Sequence, residues 1–274
     1  MNVKRNCPYK PLSRQPLVLV LAQARFSPVP KIEEFLPEVQ DFLRKNGYPM
    51  NPGQKNVLFE VGPNGIRQTE VRQWQFENPD RTASILLDHE QILLQTTTYD
   101  RFENFVREFL KILSFILEIT ESDKFGVIGR LGLRYVDLIR KQTRDDSIDS
   151  YLRPELRGIL CSEYIDKRKQ YTLSTTGKTS LNDNRAGTLT IRIMRGEKGL
   201  DLPPDLLGAA PSNRRPVSAD EDLAIVDMDH YWNGSIGPNI EIPVIGEILF
   251  SLHDSIINGF HKSVITEGGI KKWK

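Results

Sequence analysis

Cysteine is scarce: Cys7 and Cys161 are the only two in 274 residues. Two thiols cannot build a disulfide framework, and isolated thiols of this kind fit a reducing compartment. A single Cys7–Cys161 bridge is the one disulfide the composition allows. Charge of one sign is also lacking, with 37 Lys+Arg against 36 Asp+Glu and a formal net charge of +1. That excludes a chain-wide basic field, so any nucleic-acid contact needs a local patch. Long hydrophobic runs are missing as well. The run Leu17-Val18-Leu19-Val20-Leu21-Ala22, with Lys4 and Arg5 before it and Ala22-Gln23-Ala24 at its end, imitates a signal peptide. It is shorter than an ordinary signal core, and Pro8, Lys10, Pro11, Arg14 and Pro16 interrupt the approach, so a buried strand explains it better. Nothing reaches the length of a membrane span. The expected location is the cytoplasm, without membrane contact. GxGxxG, P-loop, HExxH, paired CxxC and GxSxG patterns are all absent, which removes the usual markers of nucleotide cradles, zinc sites and hydrolase elbows. No catalytic residue and no cofactor is expected.

What is present is ordinary globular chemistry, 39% hydrophobic and 27% charged. Residues 17–26 predict a strand. Ile32, Phe35, Leu36, Val39, Phe42 and Leu43 recur at helical spacing and predict a helix over 32–46, with Pro37 delaying its regular start. Four strands are expected at 57–60, 70–76, 83–88 and 91–98. A second helix spans about 101–119, with Asp100 as N-cap and Glu103 completing a capping box. Phe105, Phe109, Leu113 and Ile116 lie on its apolar face. The second half predicts a strand at 130–140, a helical stretch near 148–160, strands at 168–175, 186–195 and 223–232, and a helix at 243–266 with Pro243 in its first turn. Leu87-Asp88 and Val226-Asp227, 139 residues apart, match as equivalent positions before the last helix of each half. The fold expected is α+β with two related halves, 1–125 and 126–274. Each is a curved antiparallel sheet packed on helices, β-α-β4-α-like, resembling the TATA-binding-protein or helix-grip arrangements. Residues 196–222, rich in proline and charge, are expected to be a flexible insertion.

Three groups of residues are candidate sites. Arg134, Arg140, Lys141, Lys167, Arg168, Lys169 and Arg192 lie on strands that would carry a basic stripe if they are neighbours. With Tyr135, Tyr171 and Tyr231 beside it, such a sheet can hold single-stranded nucleic acid. Protective charge on edge strands is the plainer use of the same residues. Leu202, Pro203, Pro204, Leu206 and Leu207 form a proline-stiffened apolar segment suited to docking on a protein partner. Asp227 and Asp229 share a strand face and are weak candidates for a hard cation, whereas His230 points away from them. His253 is expected to be a partly buried, hydrogen-bonded histidine. The tail Lys271-Lys272-Trp273-Lys274 reads as a frayed end.

Several markers carry a resemblance to a known family. They are Pro16-Leu17 with Phe26 and Pro28, Tyr48-Pro49, Tyr99-Asp100-Arg101-Phe102-Glu103-Asn104-Phe105, Leu252-His253, and Phe260 followed by Ile265-Thr266. The chain resembles a family of bacterial and archaeal proteins of similar length, sporadically distributed and without an established activity. The resemblance brings no catalytic residues, and its patchy distribution implies a defence or toxin–antitoxin setting. The expected function is a non-enzymatic binding or adaptor protein with a protein partner. A nucleic-acid-binding component using a basic sheet face is the alternative, and a metal-dependent enzyme is the second alternative.

Overall fold

A computed structural model describes residues 9, 12–55, 58–62, 65–69, 72–158, 170–196, 200–207, 210–211, 213 and 222–274. The chain opens with β1 (Leu17–Phe26), whose alternate residues Val20, Ala22, Ala24 and Phe26 are buried in the main core. A 3-10 turn at Ile32–Phe35 leads into α1 (Leu36–Lys45). Pro37 sits in the first turn of α1, where its missing N–H costs nothing, so the regular helix starts late as its position predicts. Six strands follow: β2 (Met50–Lys55), β3 (Leu58–Gly62), β4 (Gly65–Thr69), β5 (Gln73–Glu77), β6 (Ala83–Leu87) and β7 (Gln91–Thr96). Then come α2 (Phe102–Ile119) and the short α3 (Ser122–Phe125).

The remaining elements are β8 (Ile128–Arg140), α4 (Ile148–Tyr151), β9 (Tyr171–Ser180), β10 (Ala186–Gly196), α5 (Pro204–Leu207), β11 (Leu223–Ile236), α6 (Ile242–Gly259) and α7 (Glu267–Lys272). Strands β3 and β4 form a separate hairpin. The other nine make one antiparallel sheet in the order β2-β5-β6-β7-β1-β8-β11-β10-β9. Its centre is the β1–β8 pair, with Leu21 opposite Arg134 and Ala22 opposite Leu133. The fold is therefore α+β, with helices packed on one sheet face. Phe105, Phe109, Leu113 and Ile116 of α2 are buried in the same core as Ile245, Ile248, Leu249 and Leu252 of α6. Phe109 is fully buried, as the helical spacing of its neighbours requires.

Several local expectations are corrected. Arg101, in extended conformation, is the N-cap of α2. Asp100 lies one residue earlier and accepts from the Arg101 backbone N–H at 2.5 Å and the Asn104 amide at 2.7 Å. The helix expected to run to 266 changes from α to π after Gly259 and continues through a π turn (Phe260–Val264) to end at extended Ile265, ahead of α7. The tail is not frayed: Trp273 is buried against Tyr151, and Lys272 Nζ reaches Asp146 at 2.5 Å. Leu87 ends β6, with β7 still to come before α2, whereas Val226 and Asp227 lie inside β11, the last strand before α6. Those two pairs do not occupy equivalent positions.

Part of the expected insertion lies within the described residues. Leu202, Leu206 and Ala210 are buried against Leu19, Leu21, Val136, Leu138, Leu223 and Ile225 on the sheet face opposite the helices. Asn213 then ties down beside the β6–β7 end of the sheet, where its N–H donates to the Arg81 carbonyl at 2.8 Å. The described part of the segment is a strap across the second face rather than a loose excursion. The physical reason lies in β1, β8 and β11. Their centres are apolar on both faces, and the strap leucines supply the cover that the helices supply on the other side. Cys7, Cys161 and the proposed cleavage sites Arg214 and Arg215 lie outside the described residues.

Candidate ligand pocket and the charged sheet face

Alternation along the strands sorts the polar residues by face. On the strap side, Arg134 of β8 grips Asp227 of β11 with two hydrogen bonds, Nε to Oδ1 at 2.7 Å and Nη2 to Oδ2 at 2.9 Å. Arg192 of β10 reaches the same carboxylate at 2.8 Å. Asp205, carried by α5, closes on Arg134 from above. Burial works against the Arg134 charge, but the Asp227 and Asp205 carboxylates outweigh it and hold the guanidinium above its ordinary pKa. Burial raises Asp229, with Arg134 and Arg130 pulling back. Arg130 lies 3.6 Å over the Tyr231 ring.

Of the residues of the expected basic stripe, Arg134, Arg192 and Lys141 are ion-paired. Arg134 is 7% exposed. Lys141 pairs with Asp222 at 3.3 Å, and Arg195 with the same aspartate. Arg140 has intermediate exposure. Lys167, Arg168 and Lys169 lie outside the described residues. The carboxylate oxygens of Asp227 face guanidinium groups, which is a poor arrangement for a cation. Among the described residues, no cluster of three or more metal-ligating side chains occurs. Leu202 and Leu206 are buried in the strap; Pro203 is buried and Pro204 exposed. Leu202 and Leu206, expected to face a partner, lie against their own sheet, and the Leu207 side chain lies outside the described residues.

The helix side holds a different feature. A cavity of about 120 Å³ lies between the start of β1, the segment entering α2, the middle of β8 and the second half of α6. Its walls include Leu17, Phe102, Phe250, Ile256, Ile257 and Phe260. A chain of polar contacts runs along one wall. The Tyr99 and Tyr135 hydroxyls are 3.1 Å apart, and Tyr135 Oη lies 2.8 Å from His253 Nδ1. The His253 ring stacks on Phe102 at 4.0 Å. At the far end, Tyr9 stacks on His261 at 3.9 Å.

Two residues along β8 from Tyr135, and so on the same face, is Asp137. It lines the cavity and is 5% exposed. Its carboxyl makes no hydrogen bond among the described residues, and burial pushes its pKa up to about 8. A carboxyl left unpaired in an apolar wall is costly to keep. Such groups concentrate at functional sites.

No protein-family model and no curated protein matches this chain.

The pocket therefore stands on its own geometry. Of its members, Tyr135 is legible in the sequence as a sheet aromatic and His253 as a hydrogen-bonded histidine, whereas Asp137 is not marked. The available signal was the run Leu131-Gly132-Leu133-Arg134-Tyr135-Val136-Asp137-Leu138-Ile139. There the parity that gives Leu131, Leu133, Tyr135 and Ile139 to the helix side gives Asp137 to it too.

Proposed function

We propose that this protein is a non-enzymatic binding protein whose ligand site is the cavity between sheet and helices, with Asp137 as its polar anchor. The observation that carries the reading is the nearly buried Asp137 carboxyl, without a hydrogen-bond partner among the described residues, in a cavity wall that joins aromatic and aliphatic side chains to a few polar and charged ones. A small-ligand site has this composition: mostly apolar lining with a few convergent polar groups. Pro16, Leu17, Tyr99 to Glu103, His253 and Phe260 line the cavity, and these belong to the segments on which the family resemblance rests.

Two related halves are part of this proposal. The order β5-β6-β7-β1 on one side of the sheet centre and β8-β11-β10-β9 on the other supports it. In each half the opening strand is central, later strands fill the sheet from outside inward, and a long helix follows.

The test is a fragment screen by NMR with assigned aromatic and histidine resonances. The reading expects perturbations that cluster at Tyr99, Phe102, Tyr135 and His253 and vanish when Ile257→Trp fills the cavity. Perturbations confined to other surfaces, or unaffected by Ile257→Trp, would overturn it.

A further inference from the structure

We infer that the cavity takes an organic cation, a protonated amine, amidine or guanidine joined to a flat apolar body, with its charged nitrogen on Asp137. This rests on the cavity being the ligand site and specifies the class of ligand. Three observations carry it. The first is the anchor. Asp137 is 5% exposed and lacks a hydrogen-bond partner among the described residues, so no described residue supplies a cation to it. A ligand N–H group on this carboxyl would make a charge-assisted hydrogen bond in a low-dielectric setting, where such bonds are strongest.

The second observation is the charge of the lining. Among the described lining residues, Asp100, Glu103 and Asp254 are acidic beside Asp137, and Arg101 is the one permanent cation. His253 and His261 are also present, and burial holds His261 below its ordinary pKa. The lining field thus favours a positive ligand and disfavours an anion. The third observation is the wall. Tyr99, Phe102, Tyr135, Phe250 and Phe260 present aromatic surface, which stacks on a flat body and attracts a cation over its faces. The cavity volume of about 120 Å³ exceeds by severalfold the roughly 10–15 Å³ that one water needs, so a ring with one substituent fits the space.

On the strap side the arginines already act on the acids. Asp205 and Asp227 face Arg134, Asp227 also faces Arg192, and Arg134 and Arg130 offset part of the effect of burial on Asp229. At the cavity, Asp137 is a buried acid that no described base or hydrogen-bond donor meets.

The experiment compares benzamidine, benzamide and benzoate, three probes of nearly equal shape that are cationic, neutral and anionic. Binding to the full chain is followed by NMR titration near neutral pH, each probe taken to about 10 mM so that millimolar affinities are visible. Benzamidine should bind best, benzoate worst, and Asp137→Asn should weaken benzamidine by roughly tenfold or more while changing benzamide little. Thermal unfolding of the Asp137→Asn variant checks that it is folded. If it is not, the charge order measured on the unaltered protein decides alone. Equal binding of all three probes at the cavity, or a preference for benzoate, would overturn the cation assignment and leave the cavity as a ligand site. Failure of all three to perturb Tyr99, Tyr135 or His253 would overturn the assignment, and the fragment screen above would then decide whether the cavity reading falls with it.

Discussion

Replacing Asp137 by Asn should stabilise this protein, by an amount that grows with pH. The carboxyl is raised from 3.8 to about 8 by burial. Between those values the unfolded chain carries an ionised Asp137 and the folded chain a protonated one. The folded state then binds the extra proton, so stability falls as pH rises across the window and levels off above about 8. Each pH unit inside the window costs about 1.4 kcal/mol. Asn fills nearly the same volume and does not titrate. The stability difference between variant and parent should therefore widen by on the order of 4 kcal/mol from about pH 4 to about pH 7. Urea unfolding of both proteins at about pH 5, 6.5 and 8 measures this as a difference of differences, in which every other titrating group cancels. Parallel pH profiles for the two proteins would refute the reasoning. They would mean that the Asp137 carboxyl is ionised in the fold, solvated or paired.

Other expectations follow from the same packing arguments. Phe109→Ala should cost about 3–5 kcal/mol, measured by the same denaturant titration, because the ring is fully buried between helix and sheet. Leu206→Ala should cost about 2–5 kcal/mol if the strap is part of the core, and within experimental error nothing if the segment is loose. Arg134→Ala should cost about 3–5 kcal/mol because it strands the buried Asp227, whereas Arg134→Met with Asp227→Leu should restore much of the loss. The double variant separates a buried ion pair from a phosphate-binding arginine: the latter would leave stability unchanged and reduce low-salt binding to nucleic acid.

Most strands and both long helices were legible because their signals are local. The spacing of Phe105, Phe109, Leu113 and Ile116 requires a buried helical face whatever packs on it, and Pro37 marks the first turn of α1 by its missing N–H. The strap was not legible. Leu202 and Leu206 look like an exposed pair until β1, β8 and β11 are placed side by side, and only then does the second sheet face need cover. The acids that meet two residues of the basic stripe were hidden for a related reason. Sequence alternation correctly put Arg134 and Arg192 on strands, but pairing across β8, β11 and β10 brings Asp227 against both. Asp205, which closes the cluster, arrives from the insertion. The pocket was visible only in fragments. Tyr99, Asp137 and His253 are far apart in the chain, and nothing in their spacing brings them together before the sheet forms.

The most direct measurement is the titration of the Asp137 side-chain carboxyl by carbon-13 NMR, alone and with saturating benzamidine. The account predicts a midpoint near 8 for the free protein and a fall of at least about one unit when a cation occupies the cavity. A midpoint in the ordinary carboxylate range, unchanged by benzamidine, would contradict it.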